Sequence, residues 1–184
     1  MTFFKNSRDN NTYETLYNEL KEFYTYENIN KILPIIDSTH EDITMTDINH
    51  FAVNYSREHN IYIIKKNNVI FINDNYVSNR NVFKKKFFDP FCRKPKFLFK
   101  YKEKGVEKSI ITSIGQLNFY RWAIKLDIIK LVEKYKKEIK EDIKKRIERK
   151  KKNIDSDSDI ERDTTTESNS IVTVEKLTTS FDDD

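Results

Sequence analysis

The first third of the chain carries apolar residues with the period of amphipathic helices. A first helix is predicted because six apolar residues recur at three- and four-residue steps and so share one face: Tyr13, Leu16, Tyr17, Leu20, Phe23 and Tyr24. Asn11 followed by Glu14 resembles a capping box at its start. A second apolar segment, residues 29–36, contains Pro34, which disfavours helix at Leu33 and ends or kinks the segment.

A third helix is predicted after a cap at Thr46, and its pattern stops near Asn60. The period then changes to that of strands. Residues 61–64 (IYII) and 69–72 (VIFI) are β-branched and aromatic, and KKNN between them suits a hairpin turn. Residues 73–88 have no clear period, although a short helix through Val82 and Phe83 fits them. A second hairpin follows, with aromatic residues at 97, 99 and 101 alternating with Leu98, Lys100 and Lys102, and a turn at Gly105.

The C-terminal part predicts one long helix and then a tail. Ser113 to Gln116 is a capping box, and an apolar stripe runs from Leu117 to Tyr135. Beyond it the stripe narrows to one isoleucine every fourth residue, which predicts an exposed basic helix. The fold class is therefore α+β: N-terminal helices, a small antiparallel sheet of two hairpins and a long C-terminal helix. We expect a core domain at 10–135, a basic helical extension at 136–152 and a disordered acidic tail at 153–184.

The charge is divided unevenly along the 184 residues, although the net charge is only +4. Residues 80–104 hold ten bases and two acids, and residues 114–153 hold fourteen bases and six acids. Residues 154–184 hold ten acids and two bases. A basic region of this kind suits nucleic-acid phosphates or an acidic protein, and the sequence leaves both partners open. The frequent Lys, Asn and Ile also indicate an A/T-rich genome, so part of the lysine excess reflects codon composition.

Cations alternate with aromatic residues in the stretch KKKFFDPFCRKPKFLFKYK, residues 84–102. Strand alternation explains its second half, with aromatic side chains inward and lysines outward, but not the clusters upstream. Lysine clusters beside aromatic residues suit phosphate neutralisation with base stacking, and equally suit docking on an acidic protein. The candidate binding residues are Lys84, Lys85, Lys86, Arg93, Lys94, Lys96, Lys100, Lys102, Lys144, Lys145, Arg149 and Lys150.

The sequence offers little support for catalysis. A nucleophilic Cys92 would need a nearby base, and a lone cysteine among aromatic residues is more often a small buried hydrophobe. One cysteine and three scattered histidines lack the ligand spacing of a zinc site, and two glycines cannot form a phosphate-binding loop. His50 lies beside the apolar face of the third helix, which indicates a structural role. We expect no enzyme activity and no cofactor.

The sequence also indicates the compartment of the protein and a role for its acidic tail. A single cysteine excludes an intrachain disulfide and indicates a reducing compartment. The N-terminus lacks the apolar core of a signal peptide, and no apolar run approaches the roughly 20 residues that span a bilayer, so no membrane association is expected. Ser156 and Ser158 each precede an acid by three residues, as substrates of acidophilic kinases do. The acidic tail can also compete with phosphate or acidic partners for the basic helix.

Three blocks resemble a known family. NYS (54–56), FFDPFCRKPKF (87–97) and SIITSIGQLNFYRWAI (109–124) resemble an uncharacterised family of nucleocytoplasmic large DNA viruses of protists, including the mimivirus-like group. The similarity covers residues 12–135, and FDPFCR and TSIGQLNFYRWAI are its most specific parts. The resemblance implies a viral origin and raises the expectation of a virion component, but it brings no activity. The blocks themselves contain caps, bends and aromatic residues, which specify a fold more readily than a reaction.

Two functions follow as hypotheses. The first is a non-enzymatic, virion-associated structural or interaction protein with a basic binding surface, found in the virion and, during infection, in the host cytoplasm. The alternative is a nucleic-acid-binding protein that acts in viral genome packaging or transcription.

Overall fold

The computed structural model describes residues 6–92 and 95–160, with side chains described through residue 152. The chain divides into two units, residues 1–146 and residues 147–184. The first unit contains helices and two antiparallel hairpins, and the chain ends its described part in a long helix, so the predicted α+β class is confirmed. Within the described residues, no helix is both long and apolar enough to cross a bilayer.

The first helix, α1, spans Ser7–Phe23 and starts earlier than its predicted cap. Asn6 is the N-cap, and its side-chain oxygen accepts a hydrogen bond from the backbone N–H of Arg8 at 3.0 Å. The proposed capping role of Asn11 is wrong, because this residue lies inside the helix. The predicted apolar face is confirmed, with Leu16 and Leu20 buried.

Pro34 opens a helix and does not end one. Helix α2 spans Tyr26–Asn30, and α3 spans Leu33–Ile36 with Pro34 in its first turn, where a missing N–H leaves no helical bond unmade. Helix α4 spans Met45–His50, and its capping box is formed by Thr44 and Asp47, so the predicted cap at Thr46 is two residues late.

The chain then continues through a π-helical turn, Phe51–Tyr55, into α5, Ser56–Glu58, which agrees with the predicted end near Asn60. The π-helical turn carries two buried aromatic residues, Phe51 and Tyr55, whose stacked rings lie 6.0 Å apart.

Both predicted hairpins are present. Strands β1, Tyr62–Lys65, and β2, Asn68–Phe71, form the first hairpin, and helix α6, Ile72–Phe83, follows β2 directly. Strands β3, Phe97–Glu103, and β4, Val106–Thr112, form the second. Among the described residues the hairpins are two separate two-stranded sheets and not the single small sheet that we expected.

The C-terminal helical region is divided into three helices, whereas the apolar stripe predicted one. They are α7, Ile114–Lys125, α8, Ile128–Lys134, and α9, Lys136–Ile160. Asp127 breaks the run because it adopts a left-handed conformation, with φ 53°, which aspartate tolerates better than most residues. The predicted cap at Ser113 is confirmed, since its hydroxyl accepts a hydrogen bond from the N–H of Gln116.

Helix α9 includes the predicted basic helical extension, 136–152, and its backbone continues to Ile160, past residue 153 where we placed the start of the disordered tail. No glycine or proline occurs between residues 116 and 184 to stop it. The rest of the predicted tail, residues 161–184, lies outside the described residues.

Aromatic side chains supply the core of the first unit. Phe88, Phe119 and Trp122 contact one another with ring centroids 5.7 to 5.9 Å apart, and Tyr76 lies against all three. Such rings bury large areas and prefer edge-to-face contacts of this kind. This explains how a chain with only 37% hydrophobic residues forms a core.

Candidate binding surfaces

Five of the six aromatic residues in the stretch 84–102 lie in the core or pack against it, whereas Phe91 is 44% exposed. Phe87 and Phe88 are 2% and 1% exposed. On the second hairpin, Phe99 is buried and Phe97 is half-buried, and both face the tyrosines of α1; Tyr17 lies 5.6 Å from Phe97 and 6.5 Å from Phe99 between ring centroids. Base stacking needs an exposed ring, so the buried rings of Phe87, Phe88 and Phe99 cannot provide it, and Phe91 is the exposed ring of this stretch.

Acids lie close to two lysines of the 84–86 cluster. The Lys85 amine is 3.9 Å from the Asp89 carboxylate, and Lys86 forms an ion pair with Asp9 of α1. Lys84 is exposed and has φ 61°, at the end of α6. Because two of three cations face carboxylates, the field of this cluster is weaker than its sequence suggests.

The outer face of the second hairpin is the more open basic surface. Lys96, Lys100 and Lys102 are exposed there, and they surround a cross-strand pair of apolar side chains, Leu98 and Ile111, which are 55% and 65% exposed. We call this set the cationic face. Its cations lie beside apolar area, a combination that protein interfaces use: an apolar centre with a polar rim.

One acid lies within the cationic face. The Lys100 amine is 2.8 Å from the Glu107 carboxylate, and this hydrogen bond lowers the pKa of Glu107, with a smaller contribution from the charge of Lys102. Within the described part of the chain, neither Lys96 nor Lys102 forms an ion pair with a carboxylate. These two cations are therefore the ones most available to a partner.

The first part of α9 is fixed to the first unit by buried and charged contacts. Ile139 is fully buried, and His50 Nε2 lies 2.6 Å from a carboxylate oxygen of Asp142. Arg146 donates to the same oxygen at 2.9 Å and also pairs with Glu58. Burial would raise the pKa of Asp142, but the hydrogen bonds from Arg146 and His50 outweigh it and lower this pKa. The expected structural role of His50 is thus explained.

The remaining candidates occupy different parts of the chain. Lys144 and Lys145 are exposed on α9 in the first unit. Arg149 and Lys150 belong to the second unit, where they begin a run of four exposed cations, residues 149–152. Arg93 and Lys94 lie outside the described residues, as do the side chains of Ser156 and Ser158, whose backbone is part of α9.

The blocks FFDPFCRKPKF and SIITSIGQLNFYRWAI contact each other directly. The N–H of Asp89 donates to the carbonyl of Gly115 at 3.2 Å, and the hydroxyl of Ser113 donates to the carbonyl of Cys92 at 2.9 Å. The side chain of Asn118 donates to the carbonyl of Phe87 at 2.8 Å. The approach is close enough that a Cβ on Gly115 would lie 3.0 Å from Cys92. The first block therefore holds the N-terminal turn of α7 in place.

Cys92 is half-buried and lies against the backbone of its own segment. The thiol of Cys92 points at a backbone carbonyl, that of Lys86, at 3.5 Å. Across residues 6–92 and 95–160, no group of three or more His, Cys, Asp or Glu side chains is placed to hold a metal ion.

The first hairpin carries a second exposed surface that was not predicted. The outer face of the first hairpin is apolar and exposed: Tyr62 54%, Ile64 69%, Val69 56% and Phe71 46%. We call it the apolar face. The signal was present in the sequence, because IYII and VIFI are apolar at every position and so predict strands with two apolar faces.

Comparison with known proteins gives the family. Residues 5–182 match the model of DUF7197, a family of unknown function, and the chain belongs to this family. Over 103 residues it is 42% identical to an uncharacterised protein of Acanthamoeba polyphaga mimivirus. The match covers 52% of this chain and 39% of that protein, so the chain spans less than half of the relative's length. The resemblance to an uncharacterised giant-virus family is thereby confirmed at this level. No solved structure matches the chain.

Proposed function

We propose that this member of DUF7197 is a non-enzymatic, virion-associated interaction protein that binds an acidic viral protein through the cationic face of its second hairpin. The observation that carries the proposal is the pairing of open cations, Lys96 and Lys102, with the exposed apolar pair Leu98 and Ile111. The relative encoded by a mimivirus supports the viral context. We place the protein in the virion and, during infection, in the host cytoplasm.

An acidic protein suits this face better than nucleic acid does. Apolar side chains at the centre of a contact exclude water and contribute most of the affinity, while the charged rim selects and orients the partner. A phosphate backbone would leave Leu98 and Ile111 uncovered, and the aromatic residues of strand β3 itself, Phe97, Phe99 and Tyr101, pack inward against the core and do not face bases on the outer side.

The alternative function, nucleic-acid binding in genome packaging or transcription, is favoured by a different observation. Four consecutive exposed cations, residues 149–152, lie on a helix of the second unit. A run of this kind neutralises phosphates without reading sequence. We keep this alternative as a defined outcome of the experiment below.

The test is lysine-reactive cross-linking of intact, purified particles of the virus that encodes the chain, followed by mass spectrometry. We expect the chain among the particle proteins, with cross-links from Lys96, Lys100 or Lys102 to a protein rich in Asp and Glu. Absence of the chain from particles, or cross-links that avoid the second hairpin, would overturn the proposal.

Purified components then separate the two functions. The double variant Lys96→Glu/Lys102→Glu should weaken binding to the cross-linked partner at least about tenfold, since it reverses two charges at the rim. The matched control, Lys31→Glu/Lys137→Glu, makes the same change at exposed lysines elsewhere in the first unit and should leave binding unchanged.

The nucleic-acid alternative predicts a different pattern with a duplex DNA probe. If the four cations each neutralise one phosphate, its affinity should fall roughly 100-fold between about 50 and about 200 mM salt. Reversal of the charges at Arg149 and Lys150 should then weaken it, while Lys96→Glu/Lys102→Glu should not. That result, without partner binding, would select the alternative.

A further inference from the structure

The first hairpin exposes an apolar surface that has no cover within the described part of the chain. Its inner residues, Ile63 and Ile70, are half-buried toward the body of the unit, whereas the apolar face is 46% to 69% exposed. The rings of Tyr62 and Phe71 lie 5.7 Å apart on neighbouring strands. Together with Ile64 and Val69 they form one continuous patch, because the register pairs Tyr62 with Phe71 and Ile64 with Val69.

A patch of this composition is a hazard for an isolated monomer. Residues 61–72 contain no acid, and their only charges are Lys65 and Lys66 near the turn. Short, β-prone, apolar segments without charges or proline promote association, and exposed strands are normally protected by charged side chains. A large exposed apolar patch therefore marks a contact surface.

We propose that the apolar face is the contact of a two-fold dimer, in which a second copy of this chain stacks its hairpin antiparallel on the first. The proposal goes beyond the proposed function, because it uses the other hairpin and none of the residues of the cationic face.

The sizes of the side chains favour this antiparallel arrangement. The large residues, Tyr62 and Phe71, lie at the base of the hairpin, and the smaller ones, Ile64 and Val69, lie next to the turn. Antiparallel stacking places the rings of one copy over the aliphatic side chains of the other, and a parallel arrangement would place ring on ring. Large residues opposite small ones allow two layers to interdigitate at native density.

The charged residues near the first hairpin also favour the antiparallel arrangement. Lys66 lies in the turn, while the amine of Lys65 is already bonded to the carbonyl of Lys125. Asp74 is exposed at the opposite end of the hairpin, in the first turn of α6. A strand of four residues is about 13 Å long, so an antiparallel partner brings Lys66 of one copy toward Asp74 of the other, twice. A parallel partner would oppose lysine to lysine.

We expect the dimer to be weak because its contact area is small. Aromatic side chains bury about 150 to 250 Å² each, so four half-exposed side chains offer on the order of 400 Å² per copy. A stable interface covers about 800 Å² per partner. A groove of about 500 Å³ lies next to Ile64 and adds area, and its lining is mixed, with Leu126 and Leu131 beside the charged residues Lys65, Asp127, Lys130 and Lys134. We therefore expect association in the micromolar range.

The experiment is sedimentation equilibrium of the full chain across the micromolar range. We expect the mean mass to rise from one chain toward two, and Ile64→Lys to weaken dimerisation at least about tenfold, because it buries a charge in the contact. The matched control is Ile111→Lys, the same change at a similarly exposed strand position of the second hairpin, which should dimerise as the wild type does. Val69→Lys serves as a second disrupting variant, and circular dichroism checks that each variant folds.

A charge swap tests the orientation. Lys66→Asp and Asp74→Lys should each weaken the dimer, and the double variant should restore it, because the pair is re-formed with reversed sign. A chain that stays monomeric throughout, or a dimer that Ile111→Lys disrupts and Ile64→Lys does not, overturns the proposal. Dimers that respond to Ile64→Lys but to neither single charge change overturn the antiparallel arrangement.

Discussion

The two hairpins have the same local design and different surfaces. Each turns through two residues with positive φ: Lys66 and Asn67 in the first hairpin, Lys104 and Gly105 in the second. The second hairpin directs aromatic side chains inward and cations outward. The first hairpin is half-buried on its inner face and apolar on its outer face.

This difference shows how much a strand pattern depends on what covers each face. Strand β3 alternates between inward and exposed residues along its whole length, and β4 does so from Ser109 to Thr112, so the burial of the second hairpin is explained by one buried face. The first hairpin has two apolar faces, and only one of them meets the body of the unit. The same supersecondary element therefore has an outer face with exposed lysines in one place and an apolar outer face in another.

Truncation of the inner faces should give the largest contrast. Phe99 is 1% exposed, and Phe99→Ala should destabilise the protein by about 3 to 5 kcal/mol, the range for a buried Phe. Ile63 is half-buried, and Ile63→Ala should cost about 1 to 2 kcal/mol, since much of its side chain already meets solvent. Urea unfolding followed by circular dichroism measures both. Equal losses of stability would mean that the two hairpins are anchored equally, which would contradict the difference in burial between their inner faces.

The turns should differ next. Gly105 has φ +85°, and Gly105→Ala should cost about 1 to 2 kcal/mol, because a Cβ strains the left-handed conformation even though no atom lies within 4 Å of it. Asn67 occupies the equivalent position of the first turn. Asn67→Gly should leave the protein's stability unchanged or raise it by less than about 1 kcal/mol. Gly105→Asn is the matched control and should cost less than Gly105→Ala. Thermal unfolding gives the order, and a stabilising Gly105→Ala would contradict it.

Two buried tyrosines, Tyr24 and Tyr120, should give smaller changes in stability, and the two changes should have opposite signs. The ring of Tyr24 lies 5.8 Å from that of Phe99, and its hydroxyl donates to the carbonyl of Leu117 at 2.6 Å. Tyr24→Phe removes this bond and should cost about 1 kcal/mol. Tyr120 is fully buried, and its hydroxyl has no hydrogen-bond partner among the described residues. Tyr120→Phe should therefore be neutral or stabilising by up to about 1 kcal/mol. A loss of stability on Tyr120→Phe would reveal a partner for its hydroxyl.

Local chemistry explains which parts of the fold the sequence predicted. Both hairpins and the cap at Ser113 depend on residues close in sequence, so the patterns of IYII, FLFKYK and SIGQ were sufficient. The break at Asp127 was missed because neither glycine nor proline marks it, and only the backbone shows the left-handed residue. The start of α1 was missed because Asn6 and Asn11 are both acceptable caps by residue type.

The candidate surfaces divide in the same way. Sequence identified the lysines, but it did not identify which of them meet an acid. Lys86 pairs with Asp9, far away in the chain, and this contact exists only because the fold brings α1 beside the 84–92 segment. The aromatic residues between the lysines were ambiguous for the same reason: whether Phe88 stacks on a base or joins the core is decided by Phe119 and Trp122, which approach it from α7.

The smallest predicted effect is a pH dependence confined to the outer face of the second hairpin. The hydrogen bond from Lys100 lowers the pKa of Glu107. A carboxyl whose pKa is lower in the folded chain than in the unfolded chain stabilises the fold above the unfolded pKa, and this contribution is lost as the pH falls through the folded pKa. Wild type and Glu107→Gln should therefore differ slightly in melting temperature near neutral pH and converge below about pH 4. Added salt should reduce the difference, because the pair is exposed.

The variant Lys100→Gln tests whether Lys100 causes the lowered pKa of Glu107. In Lys100→Gln, the pKa of Glu107 measured by nuclear magnetic resonance should return most of the way to its ordinary value, with a residual lowering from Lys102. The first hairpin supplies the contrast, since its cross-strand pairs contain no carboxylate and its own stability should not change over this pH range. If Glu107 titrated at its ordinary value in the wild type, Lys100 would not be paired in solution. The cationic face would then present three open lysines to a partner and not two.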